Sequence, residues 1–152
     1  MEEFVIIGFI GVCLILFTSA LVYETLALVW DYLPKMRIGR RRVIVVIGSI
    51  FAAHMLCIWV YAIAHYLLLH YTQLGGFTGI SYEQGLYGTD LLSMMYYSTI
   101  AYTSLGFGDI VPIKGFRFLS GTETLNGLIL IGWTVSYAFI AMQKYWKLHP
   151  HD

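Results

Sequence analysis

Three stretches of this chain, residues 4–30, 43–71 and about 122–146, stay apolar for as long as a bilayer is thick. A helix rises about 1.5 Å per residue and a hydrocarbon core is about 30 Å across, so each stretch crosses it with some tilt. Few soluble folds can bury that much apolar helix on every side. Composition agrees: 59% of the 152 residues are hydrophobic and 12% are charged, where soluble chains carry roughly 25% charged residues. The chain therefore reads as one integral membrane domain, and as all-α, because such apolar spans cross lipid as helices with their own backbone bonds satisfied. The first stretch opens on Glu2-Glu3 and runs past the length of a cleavable leader's core, so it is a permanent helix. The one basic run, Arg40-Arg41-Arg42, sits between two apolar stretches and offers no nucleic-acid surface. Cys13 and Cys57 have neither disulfide nor metal-ligand spacing and read as small buried hydrophobes.

Between the second and third stretches lies a segment too polar to span and too apolar for an ordinary loop. Residues 72–88 form an external loop with Gly75, Gly76, Gly79 and Gly85. Thr89 or Asp90 then offers an N-cap for a helix over 89–103, half the length a membrane requires. After it comes Thr103-Ser104-Leu105-Gly106-Phe107-Gly108-Asp109. A half-length helix followed by glycine-spaced extended backbone is the pattern of a re-entrant loop, whose polar groups survive at membrane depth only against protein or a water-filled cavity. Basic residues set the orientation. Lys35, Arg37, Arg40, Arg41 and Arg42 crowd the loop at 35–42, and Lys144 and Lys147 end the third stretch. The re-entrant side has only Lys114 and Arg117. The N-terminus is thus expected outside and the C-terminus in the cytoplasm. Glu2, Glu3, Glu83, Asp90 and Asp109 gather on the outer side, a negative field that concentrates cations.

The run at residues 103–109 resembles the potassium-channel selectivity filter, usually written T-T-V-G-Y-G-D. The resemblance extends over 43–147: an outer helix at 43–71, a pore helix at 89–103, the filter at 104–109 and an inner helix at 122–146. Residues 1–34 add a helix in front of this two-helix pore module, and 148–152 a short tail. The pattern Pro112-x-x-Gly115-x-Arg117, then Glu123 and Gly127, is similar to the inner-helix entry of small bacterial-type ion channels. The resemblance implies a homotetramer in the plasma membrane, not an enzyme, that passes potassium down its gradient with no cofactor. Potassium is then held at Ser104, Leu105, Gly106 and Phe107, where backbone carbonyls replace the ion's water. Thr103 and Asp109 bound the filter. Glycine at 106 and 108 permits the backbone angles this needs. Ser, Leu and Phe replace the usual Thr, Val and Tyr at 104, 105 and 107. Ile100 stands where some relatives place a carboxylate. The first helix has no regular arginine ladder and does not look like a voltage sensor.

Around this core, Tyr96 and Tyr97 occupy the aromatic positions behind the filter and are expected to brace it, with Arg117 and Glu123 as further support. Glu123 is expected to steady the pore helix, since a carboxylate inside a span has a partner or a task. Gly127 reads either as a hinge or as a close-packing position, and Gly132 as close packing. Leu128, Ile131, Val135 and Phe139 follow Gly127 at helical spacing as the cavity wall and inner gate. Glu24 is expected to find a partner among Lys35, Arg37 and Arg40–Arg42. His54 and His65 share a stripe with Cys57 and Tyr61, read as a face packed toward the first helix. His149 and His151 read as solvated. With five residues after Lys147, a cytosolic ligand-binding domain is not expected on this chain. The competing functions are a weakly selective cation channel, a membrane redox protein binding haem through the buried histidines, and a non-conducting accessory subunit.

Overall fold

Backbone N–H and C=O groups have no water to bond in hydrocarbon, and the three apolar stretches satisfy them internally as helices. The structure, a computed structural model, describes residues 2–35, 41–79 and 89–146. Arg37, Arg40, Glu83, Gly85, Lys147 and the two tail histidines lie outside the described residues. Helix α1 spans Glu2–Tyr32, ends in a 3-10 turn at Leu33–Lys35, and is followed by α2 at Arg42–Tyr71. Pro34 sits where a proline stops a helix cleanly. At the far end of α2, Thr72 accounts for a final carbonyl: its N–H and its hydroxyl both donate to Leu68 O, at 3.1 and 2.6 Å. Strand β1 (Gly75–Thr78), helix α3 (Leu91–Tyr102), strand β2 (Val111–Lys114) and helix α4 (Phe116–Trp146) complete the order. Helices α1, α2 and α4 are each long and apolar enough to cross a membrane. Helix α3, at 12 residues, is not.

Two elements differ from the sequence reading. The loop at 72–88 holds β1, which pairs antiparallel with β2, Gly75 opposite Lys114 and Thr78 opposite Val111. This ribbon ties the chain leaving α2 to the chain leaving the filter. Helix α4 also begins at Phe116 rather than 122. Ser120-Gly121-Thr122 reads as loop in isolation, but Phe116 and Leu119 are fully buried with Ile7 and Leu68. That burial pulls the segment into helical register.

Four helices meet at mid-membrane around Val22 and Leu26 of α1, Cys57 and Tyr61 of α2, Tyr102 of α3 and Leu130 of α4. Helix α1 packs on both α2 and α4. Cys57 is buried there as expected, whereas Cys13 lies on the exposed face of α1. Helix α1 is apolar nearly all round, so its sequence does not say which face packs. The ends of α1 and α4 and the start of α2 come together: Lys144 Nζ lies 4.2 Å above the Trp30 ring, and the Arg42 guanidinium 5.1 Å above the Tyr145 ring. One end of the bundle thus carries Lys35, Arg41, Arg42 and Lys144, and the other carries the α3 loop.

Candidate functional site

Asp90 opens α3 from an extended conformation, its carbonyl accepting the Met94 N–H at 3.2 Å. The Ser93 hydroxyl donates to the Asp90 carboxylate, and that bond holds the carboxyl below its ordinary range. At the other end of α3 the backbone folds back on itself. The N–H groups of Thr103 and Ser104 donate to Thr99 O and Ala101 O at 3.2 and 3.0 Å. Those of Leu105 and Gly106 both donate to Ile100 O, at 2.9 and 3.2 Å. Four successive donors are therefore satisfied on the α3 side. Among the described residues no backbone N–H donates to the carbonyls of 104–108. The dihedrals explain the shape: φ is +61° at Ser104, +55° at Gly106 and +80° at Gly108, while Leu105 and Phe107 stay negative. In an ordinary strand successive carbonyls point opposite ways. Positive φ at every second residue, 104, 106 and 108, breaks that pattern. Glycine adopts positive φ freely; Ser104 does so as a strained exception.

Side chains hold this backbone from behind. The Tyr96 hydroxyl donates to Asp109 Oδ2 at 2.6 Å, and Asp109 Oδ1 accepts the Ile110 N–H at 3.1 Å. Tyr97 points elsewhere: it is buried, and its hydroxyl meets Ser120 Oγ of α4 at 2.5 Å. Its ring packs with Ile100 of α3 and with Ile110, just past the loop. The Thr124 hydroxyl donates to Ala101 O at 2.9 Å, closing one of the last carbonyls of α3. Arg117 Nε reaches Pro112 O at 3.2 Å and so steadies β2, one element beyond the filter run. Leu105 and Phe107 are 57% and 64% exposed on a single chain. A groove of about 370 Å3 opens between Gly106, Gly108, Tyr97, Gly121 and Thr124.

The sequence profile of a family described as "Ion channel" matches residues 55–144, more than half of the chain. The chain belongs to the ion-channel family. No curated protein and no solved structure gives a significant match. Membership makes it a multi-pass membrane protein of a class that is not enzymatic.

The remaining residues can be placed within the channel. Gly127 is a contact position: a Cβ there would stand 2.1 Å from Tyr102 O, where α4 crosses the end of α3. Gly132 lies exposed, and a Cβ there would meet nothing within 4 Å, so it makes no close packing within the chain. Leu128, Val135 and Phe139 share an exposed stripe of α4, at 51%, 62% and 59%. Ile131 does not join it; it is half-buried against the mid-membrane cluster. Glu123 is fully buried, its Oε2 lying 3.8 Å from His65 Nδ1, which in turn is 3.0 Å from Tyr61 O and 3.5 Å from Ser98 Oγ. Glu123 therefore lies buried among α2, α3 and α4, against Ser98 of α3. Glu24 is exposed, and no described cation lies within 4.0 Å of it. The expected partner is absent among the described residues.

The histidine stripe divides: Cys57 and Tyr61 cluster with Val22 and Leu26 of α1 as expected, Cys57 Sγ donating to Thr18 O at 3.8 Å, while the two histidines face α3 and α4. His65 packs edge-on against Tyr97 and Phe116. His54 places Nδ1 2.9 Å from Tyr102 Oη and Nε2 2.9 Å from Thr134 Oγ1. Thr134 donates its own proton to Ile131 O at 3.0 Å, so His54 donates from Nε2 and accepts at Nδ1. Sequence reasoning did not identify this relay, nor a second one through Asn126. Asn126 Nδ2 donates to Thr18 Oγ1 at 2.8 Å and to Tyr61 Oη at 3.1 Å, joining α4 to α1 and α2. Tyr137 Oη donates to Leu26 O at 2.9 Å, a second tie from α4 to α1. An amide inside a span was the available signal.

Proposed function

We propose that four copies of this chain form a potassium-selective channel, each contributing one filter strand and one inner helix. The observation that carries the reading is the alternation of φ over 104–108, with the neighbouring N–H groups turned back onto α3. Carbonyls so freed have no hydrogen-bond donor among the described residues. Four strands around an axis turn them into rings that replace the water of a dehydrated ion. The ion sites are the carbonyls of Ser104, Leu105, Gly106 and Phe107, with the Ser104 hydroxyl adding an inner oxygen. Exposure of Leu105 and Phe107, and the open groove beside Gly106 and Gly108, support assembly: neighbouring chains cover what one chain leaves bare.

Below the filter, Leu128, Val135 and Phe139 line the cavity, and an apolar constriction at Phe139 closes by dewetting. The C-terminal end of α3, with its partial negative charge, points toward the ion path and favours a cation there. The basic end of the bundle lies in the cytoplasm of a cell bounded by this plasma membrane, and Asp109 faces outward. A haem-binding reading finds little support, because His54 has both ring nitrogens engaged in hydrogen bonds. The test is recording from purified protein in planar bilayers with potassium on one side and sodium on the other. The reading expects a reversal potential far from zero in the direction of potassium. A value near zero makes this a weakly selective cation channel, and no current at all makes it an accessory subunit.

A further inference from the structure

The basic end of the bundle carries a feature that conduction does not use. Between the last turns of α1 and the first turns of α2 runs a groove of about 320 Å3, lined by Leu28, Val29, Tyr32, Leu33, Val45 and Ser49. Its walls are apolar apart from two hydroxyls. Leu28 and Tyr32 are 68% and 64% exposed, so the groove opens on the outer flank of the bundle. It lies on the opposite side of α1 from Asp31, which faces a separate hollow with Trp30 and Tyr137.

Two cations flank the lining along the chain, one two residues past Leu33 and one four before Val45. Lys35 closes the 3-10 turn after α1, and Arg41 is the N-cap residue of α2. Both are exposed, and among the described residues neither lies within 4.0 Å of a carboxylate. Arg42 is committed differently, with Nη2 3.4 Å from Pro34 O and its guanidinium above Tyr145. Tyr32 and Tyr145 mark this level as the membrane–water interface, where aromatic rings concentrate.

We propose that the groove seats one acyl chain of an anionic phospholipid whose phosphate rests against Lys35 and Arg41. Any lipid tail can cover an apolar wall. The two cations at headgroup depth are what select among lipids. A zwitterionic headgroup brings its own ammonium beside them, whereas an anionic one adds only negative charge. Each basic residue near an anionic surface is worth about a fivefold change in binding, so the pair together gives roughly twenty-five-fold. The proposal holds whichever ion the pore passes.

Native mass spectrometry of the intact detergent-solubilised assembly, offered equal phosphatidylglycerol and phosphatidylcholine, reads the preference directly. The wild type is expected to retain phosphatidylglycerol first. Lys35→Gln/Arg41→Gln is expected to cut that preference roughly twenty-five-fold, while Lys114→Gln, at the opposite end, leaves it unchanged. Ser49→Trp, which fills the groove but keeps both cations, is expected to lower retention as well. Equal binding of the two lipids by the wild type overturns the proposal, as does a preference that survives Lys35→Gln/Arg41→Gln. Displacement of the lipid by millimolar inorganic phosphate also overturns it, since the groove then contributes nothing.

Discussion

The filter segment and the mid-membrane seam lie against the same short helix, α3, yet they are held in different ways. The filter is held by backbone: four N–H groups fold onto the carbonyls of Thr99, Ile100 and Ala101, and φ alternates in sign. The seam is held by side chains: His54 to Tyr102 and Thr134, Asn126 to Thr18 and Tyr61, Tyr137 to Leu26 O. Backbone geometry tolerates changes of side chain that respect it. Ser104, Leu105 and Phe107 each depart from the usual filter residue and the alternation persists. A side-chain seam has no such tolerance, because each bond depends on one atom of one residue.

The sharpest way to break the comparison is at Gly108, where φ is +80°. An L-residue in the left-handed region costs roughly 1–2 kcal/mol, and in the proposed tetramer four subunits incur that cost around one axis. Gly108→Ala is expected to abolish potassium current while size-exclusion and helicity stay those of the wild type. A conducting, selective Gly108→Ala channel would show that the backbone does not set the filter.

Gly127 stands where the two regions touch. An added methyl there meets Tyr102 O at 2.1 Å, an overpacking that costs about 1–3 kcal/mol. Gly127→Ala is expected to lower the melting temperature and to alter unitary conductance, because the end of α3 moves with the filter attached. A hinge at Gly127 predicts something else: unchanged melting and unchanged conductance, with a lower open probability. The two recordings separate contact from hinge.

A smaller effect is expected at Tyr96, whose hydroxyl is bonded to the filter run through Asp109. Tyr96→Phe deletes that bond, worth about 0.5–1.5 kcal/mol for an ordinary hydrogen bond. Current is expected to persist with a filter that closes more readily, seen as shorter open bursts. Complete loss of current would mean that side chains govern the filter as they do the seam.

What could be read from the sequence follows the same division. Gly106 and Gly108 announce the positive-φ positions of the loop after α3, because backbone demand shows as residue type at fixed spacing. The three spans show because hydrocarbon imposes length. Tyr96 and Tyr97 look equivalent as neighbours, but they lie about 100° apart on a helix, and one reaches Asp109 while the other reaches Ser120. The β1–β2 ribbon is too short and too glycine-rich to alternate. The first turns of α4 look like loop until Phe116 and Leu119 find Ile7 and Leu68. Thr18 is least visible of all: a lone hydroxyl in an apolar helix usually bonds its own backbone, as it also does here to Leu14 O at 2.8 Å.

That hydroxyl supplies the finest test of the comparison. Asn126 is nearly fully buried, and its amide reaches α1 and α2 at once. Hydrogen bonds between helices in lipid average only about 0.6 kcal/mol and rarely exceed about 1.7, because a separated helix finds substitute partners. Thr18 already has one such substitute in Leu14 O. Asn126→Leu and Thr18→Val are therefore each expected to lower resistance to denaturant slightly, and the double variant to lose less than the two losses added. A coupling of about 0.6 kcal/mol corresponds to roughly a threefold change in an equilibrium, the size expected if α1 helps hold the inner helix in place. Zero coupling in the cycle would mean that α1 is kept by apolar packing alone. In that case the inner helix is free to move past it, and Tyr137 to Leu26 O remains as the one hydrogen bond described between α4 and α1 that could restrain the motion.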